Sequence, residues 1–142
     1  MKQLRISLLL VTCLITIQTS GQSIVGKWKT IDDETGKPKS IVEIFMKDGK
    51  AYGKIVKLFR EPGEDPDPIC DDCTDYRKDQ KVIGMTIITD MEKDGDEWED
   101  GEILDPKNGK VYDCRLWVED NKLMVRGYIA FFFRTQTWLP VE

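Results

Sequence analysis

Four turn-forming pairs, Asp48-Gly49, Asp94-Gly95, Asn108-Gly109 and Asp120-Asn121, punctuate the chain between runs of alternating residues. A two-residue type I′ hairpin needs positive φ at both central positions, which Asp, Asn and Gly tolerate best. The flanking runs carry the matching period. In 40–47, Val42, Ile44 and Met46 fall on one face and Ile41, Glu43 and Phe45 on the other. Strands are expected over 24–31, 40–47, 50–59, 82–92, 97–104, 110–119, 122–130 and 132–139, and Val, Ile, Thr, Tyr, Phe and Trp fill them. No stretch of this part has a helical period. Eight antiparallel strands joined mostly by short turns predict an all-β meander, and closure into a barrel removes the unpaired edges.

The amino-terminal residues read differently. Lys2 and Arg5 precede an apolar stretch over 6–17, broken by Thr12 and Cys13, and small polar residues follow up to Gly21. That is the pattern of a cleavable signal peptide over 1–21, with cleavage before Gln22. The apolar part is shorter than the roughly 20 residues a spanning helix needs. Residues 22–142 are then one exported domain, periplasmic or secreted, with no membrane span after cleavage. Taking Lys2 and Arg5 from a formal net charge of −5 leaves −7. So acidic a chain repels phosphate backbones, and nucleic acid is not expected as a partner. The sequence has no histidine. Ser-His and Cys-His nucleophiles and imidazole metal sites are excluded, leaving carboxylates, Lys, Tyr or Cys for any catalysis. No cofactor is expected.

The segment 60–81 breaks the short-turn pattern, with Pro62, Pro66, Pro68, many acids and the pair Cys70 and Cys73. In an oxidising compartment that pair reads as a local disulfide. Metal binding, redox exchange or a longer bridge to Cys114 are the alternatives. Asp71 and Asp72 oppose the low thiol pKa that redox work needs. Cys114 alternates with Tyr112, Leu116 and Val118, as a buried inert thiol would. The acidic clusters read as solvated turns, and neither has the spacing of an EF-hand.

In a closed meander the first and last strands are neighbours. Trp28, in Gly26-Lys27-Trp28, is expected at that seam with Arg134 and Trp138, the Arg134 guanidinium lying on the Trp28 ring. The sequence resembles the bacterial family called domain of unknown function 2147. The resemblance is carried by Ile24-Val25-Gly26-Lys27-Trp28, Val82-Ile83-Gly84-Met85 and Gly101-Glu102-Ile103-Leu104-Asp105-Pro106. It continues through Asn108-Gly109-Lys110-Val111-Tyr112, Leu123-Met124-Val125-Arg126-Gly127-Tyr128-Ile129 and Arg134-Thr135-Gln136-Thr137-Trp138. It implies an exported, lipocalin-like (calycin-type) barrel and brings no activity or catalytic residues. The expected function is binding of a small hydrophobic ligand or an envelope partner at the barrel mouth. Arg115, Arg126, Phe131, Phe132 and Phe133 are the candidate ligand-binding residues, and the loop of Cys70 and Cys73 is the candidate lid. The alternatives are a structural envelope protein with a filled barrel, an enzyme using carboxylates or Arg115 and Arg126, and a metal binder using Cys70 and Cys73.

Overall fold

The structure, a computed structural model, describes Ile15 and residues 22–142. Ile15 aside, the expected leader over 1–21 lies outside the described residues. Eight strands follow: β1 (Gly26–Ile31), β2 (Pro38–Lys47), β3 (Lys50–Leu58), β4 (Thr86–Asp94), β5 (Glu97–Asp105), β6 (Lys110–Glu119), β7 (Lys122–Ile129) and β8 (Phe132–Pro140). Each pairs antiparallel with the next, and β8 returns to β1, closing the barrel.

The turn chemistry operates as its residue types require. Asp48 and Gly49 have φ 51° and 78°, and Asp120 and Asn121 have 49° and 62°, the two left-handed residues of a I′ turn. At the third tight hairpin the expected pair shifts by one. Asp94 ends β4, and Gly95 at φ 60° takes the first central position, with Asp96 after it. Glycine leading is the II′ arrangement.

One set of alternate residues points inward: Val42 and Ile44 on β2, Ala51 and Ile55 on β3, Leu116 on β6, and Leu123 and Val125 on β7. Each fully buried aliphatic side chain contributes about 1.5–3 kcal/mol. β4 and β5 keep this parity only by bulging, at Asp90 (φ 57°) and Asp100 (φ 60°). There Gly101 meets β4 so closely that a Cβ would stand 2.4 Å from the Thr89 carbonyl oxygen.

Closure is confirmed, but the expected stacking at the seam is not. Trp28 pairs with Pro140, and Lys29 with Leu139. Arg134 lies six residues back along β8, about 20 Å away at strand rise. It therefore cannot cover the Trp28 ring. Trp28 is buried, and its indole N–H donates to the Ile24 carbonyl at 2.8 Å, tying the entry segment to the closed end. Arg134 crosses the seam differently, through an ion pair with Asp33 just beyond β1.

β4 also starts later than the sequence pattern indicates, at Thr86. Residues 82–85 form a turn instead: Met85 N–H donates to the Val82 carbonyl, and Gly84 has φ 91°. The segment before it is ordered. An isolated bridge joins Ile69 to Lys81, and Cys70 N–H donates to the Gln80 carbonyl at 2.8 Å. Arg77, almost fully buried, forks onto the Asp75 carboxylate and donates to the Thr86 carbonyl at 3.0 Å. That guanidinium holds the Asp75 carboxyl below its ordinary pKa.

Candidate functional site: a cavity at the open end of the barrel

Strand parity sorts the connections. The β2–β3, β4–β5 and β6–β7 turns share one end with Trp28. The β1–β2 turn, the long 59–85 connection, the β5–β6 turn and the β7–β8 turn surround the other. At that second end lies a cavity of ≈ 950 Å³. Its deeper wall is apolar, from Ile55, Val82, Ile87, Ile103, Val125 and Trp138. Polar groups interrupt this wall at few points. The Thr30 and Ser40 hydroxyls bond each other at 2.7 Å, both residues being buried. Gln136 accepts from the Trp138 indole N–H at 3.0 Å, and Tyr112 accepts from the Asn108 amide at 3.2 Å.

The rim is held by local hydrogen bonds. The Asp32 carboxylate accepts from the Glu34 and Thr35 backbone N–H groups and the Thr35 hydroxyl. The two Thr35 bonds are the chief reason its carboxyl lies below the ordinary value. Glu61 pairs with Lys37 across the β1–β2 turn, and Arg60 with Glu64. On the far side the long loop touches the β5–β6 turn. Gly109, at φ 71°, lies so near Asp72 that a Cβ would stand 1.9 Å from the Asp72 carbonyl oxygen. Only glycine satisfies both the turn and the approach.

The residues singled out in the sequence divide between the cavity and the outside. Phe132, Arg134 and Trp138 line it, and Phe133 borders it while its ring lies on the outer face against Arg126. Phe131 does neither; it projects from the β7–β8 turn, 99% exposed. Arg115 and Arg126 are corrections, for both lie on the outer wall. Arg115 alternates with the inward Cys114 and Leu116, and Arg126 with Val125. They are cross-strand partners. Arg115 pairs with Glu99 at 3.0 Å and Glu97 at 3.5 Å. Arg126 donates to the Thr135 hydroxyl and stacks between the Trp117 and Phe133 rings, at 4.9 and 4.4 Å. Glu99 itself titrates high, chiefly through a hydrogen bond shared with Asp94 and then through burial, with Arg115 opposing.

Cys70 and Cys73 form a disulfide, both buried, with Cα atoms 5.4 Å apart. Neither sulfur is then left as a thiolate for the metal alternative or free for a bridge to Cys114. Cys114 is free and buried, and desolvation pushes its thiol up to about 12. Among the described residues no three His, Cys, Asp or Glu side chains gather as a metal site, and no helix is long and apolar enough to cross a membrane.

The profile of a bacterial family described as an uncharacterized protein conserved in bacteria (DUF2147) matches residues 26–139. The chain belongs to the DUF2147 family. The match opens on the first residue of β1 and ends one residue short of the end of β8. In structure this DUF2147 domain is similar to protein HP1028 from the human pathogen Helicobacter pylori, which belongs to the lipocalin family. The TM-score is 0.71 at 19% sequence identity, and the likeness covers 84% of each chain. At that identity it shows a lipocalin-like fold. No curated protein matches this sequence. Sequence reasoning passed over Thr30, Ser40, Tyr112 and Gln136, the polar groups inside the DUF2147 cavity. The period of two contained them: Ser40 precedes Val42 and Ile44, and Gln136 stands between Arg134 and Trp138 on one face.

Proposed function

We propose that this DUF2147 domain is an exported, non-enzymatic binding module that holds a small, mainly apolar molecule in its mouth cavity. The observation that carries the reading is the ≈ 950 Å³ cavity, apolar in depth, with hydroxyl and amide groups on its walls and charged side chains of both signs around its rim. Ligand sites have about this size, roughly 300–1,000 Å³, and this mixture of surfaces. The occupant is an elongated apolar body with one hydrogen-bonding end, met by Gln136, Tyr112 or the Thr30–Ser40 pair. The long loop, stapled by Cys70–Cys73 and anchored by Arg77, serves as a fixed rim.

Export is supported by the basic and then apolar pattern of 1–21 and by a disulfide suited to an oxidising compartment. A purely structural protein with a filled barrel fits the closed end and leaves the mouth unexplained. An enzyme built on Arg115 or Arg126 loses its motivation, because neither guanidinium faces the cavity.

The test is native mass spectrometry of the protein purified from its own host, joined to titration with a fluorescent long-chain carboxylate. A co-purifying small molecule displaced by the probe is the expected result. No bound mass together with no saturable probe binding would refute the reading.

A further inference from the structure

We infer that the tip of the β7–β8 hairpin inserts into the interface of a lipid bilayer. Four large apolar side chains within five residues meet water there: Ile129 is 58% exposed, Phe131 99%, Phe132 77% and Phe133 61%. Scattered exposed apolar residues are ordinary, but four within one hairpin tip form a contiguous patch.

The residues behind this tip are what point to lipid. Residues 121–141 hold Lys122, Arg126 and Arg134 and no Asp or Glu, in a chain with 26 acids. Lys122 stands at the opposite end of the barrel and Arg134 is paired with Asp33, so Arg126 is the cation behind the tip that is left for an anionic surface. Its layers also follow the order of a bilayer interface. The phenylalanines lead, and behind them Tyr128 packs beside Phe133, their ring centroids 6.2 Å apart. Next comes the Arg126 guanidinium, held between the Phe133 and Trp117 rings. Phenyl rings suit the acyl boundary, Trp and Tyr the headgroup level, and a guanidinium pairs with phosphate. Ile129 and Phe132 also line the cavity, so an inserted tip sets the mouth against the membrane. The inference stands without the cavity reading, since the patch and its charge do not depend on a ligand.

The test is flotation of the protein with vesicles of phosphatidylcholine, or of phosphatidylethanolamine and phosphatidylglycerol in equal parts. Partition is expected, and stronger on the anionic vesicles. Phe131→Ser and Phe132→Ser should each weaken it by about tenfold. Arg126→Gln should weaken it on the anionic vesicles alone. The variant Phe131→Trp should bind as the parent does, with its fluorescence quenched by brominated acyl chains. Circular dichroism checks that each variant is folded, and a cavity-filling substitution at Gly127 should leave partition unchanged. Absence of partition, partition indifferent to the Phe131 and Phe132 substitutions, or an unquenched Phe131→Trp each overturn the inference. Capture of an envelope protein through this hairpin, with no vesicle binding, also overturns it and makes the tip a protein site.

Discussion

Replacing Gly127 with valine separates what the cavity does from what the barrel needs. Gly127 pairs with Cys114 on one side and Arg134 on the other, in the interior of β7. Its φ is ordinary, and a Cβ would meet Tyr112 at 3.6 Å and Ile103 at 3.9 Å, plain van der Waals contact. Glycine within a strand costs roughly 0.5–1 kcal/mol relative to alanine. Valine adds two further carbons against an apolar wall, at about 0.8 kcal/mol for each one buried. Partial exposure to the open mouth lowers that sum, leaving a stabilisation of about 1–2 kcal/mol. In a domain of this size it raises Tm by roughly 3–8 °C. The same carbons occupy space a ligand would fill, and affinity for a fluorescent long-chain carboxylate should fall at least about tenfold, the effect of 1.4 kcal/mol. Thermal melts and probe titration of one preparation give both numbers. The reasoning predicts opposite signs, stability up and binding down. A variant that melts lower shows that Gly127 does not face free space. One that melts higher and binds unchanged places the ligand elsewhere.

Gly109→Ala should do the reverse. The added methyl meets the Asp72 backbone, so the long loop must leave the β5–β6 turn, seen as faster proteolysis within 60–81 and a loss of about 2 kcal/mol or more. Reducing Cys70–Cys73, or changing both to serine, should cost about 2 kcal/mol on chain-entropy grounds, because the closed ring is so short, and should leave the barrel folded. Cys114, its thiol pushed up to about 12 by burial, should not react with a thiol reagent at pH 8 until denaturant is added. Asp75 has a folded pKa below its unfolded one. Its contribution is therefore present above about pH 4, the unfolded carboxyl value, and lost as pH falls through the folded pKa. Amide exchange at Gln80 should accelerate over that acid range in the parent, and Asp75→Asn should remove the pH dependence.

Much of this fold was legible because it is local. A period of two in 40–47 and an Asp-Gly pair behind it determine both a hairpin and the face it buries, and the β2–β3 register follows. Cys114 was readable for the same reason, as an apolar strand position between buried neighbours. What failed was anything depending on register between distant strands. Trp28 and Arg134 were both rightly placed near the seam, but the Trp28–Pro140 pairing decides which residues meet, and no local pattern encodes it. Arg115 and Arg126 show a different failure. Their parity with Cys114 and Val125 assigns them to the outer wall, and a guanidinium there has no access to the cavity whatever its chemistry. The bulges at Asp90 and Asp100, whose positive φ shifts that alternation, are hidden because Asp is ordinary in turns.

The position of the mouth follows from connection lengths once closure is accepted. In an eight-stranded antiparallel meander, successive connections alternate between the ends, four at one and three at the other. The three are Asp48-Gly49, Gly95-Asp96 and Asp120-Asn121, each a two-residue turn. Turns this tight cannot hold walls apart above the last core layer, and the Trp28 ring with the Ile24 segment closes that end. The four include the six residues 32–37 and the connection 59–85. Loops of that length must stand on the barrel rim, and tethered there by Arg77 and by Gly109 they extend the walls beyond the core. The remaining connection on that side, Ala130-Phe131, is a two-residue turn that adds no wall of its own. Phe132 beside it lines the cavity, so a molecule entering on this side passes that ring.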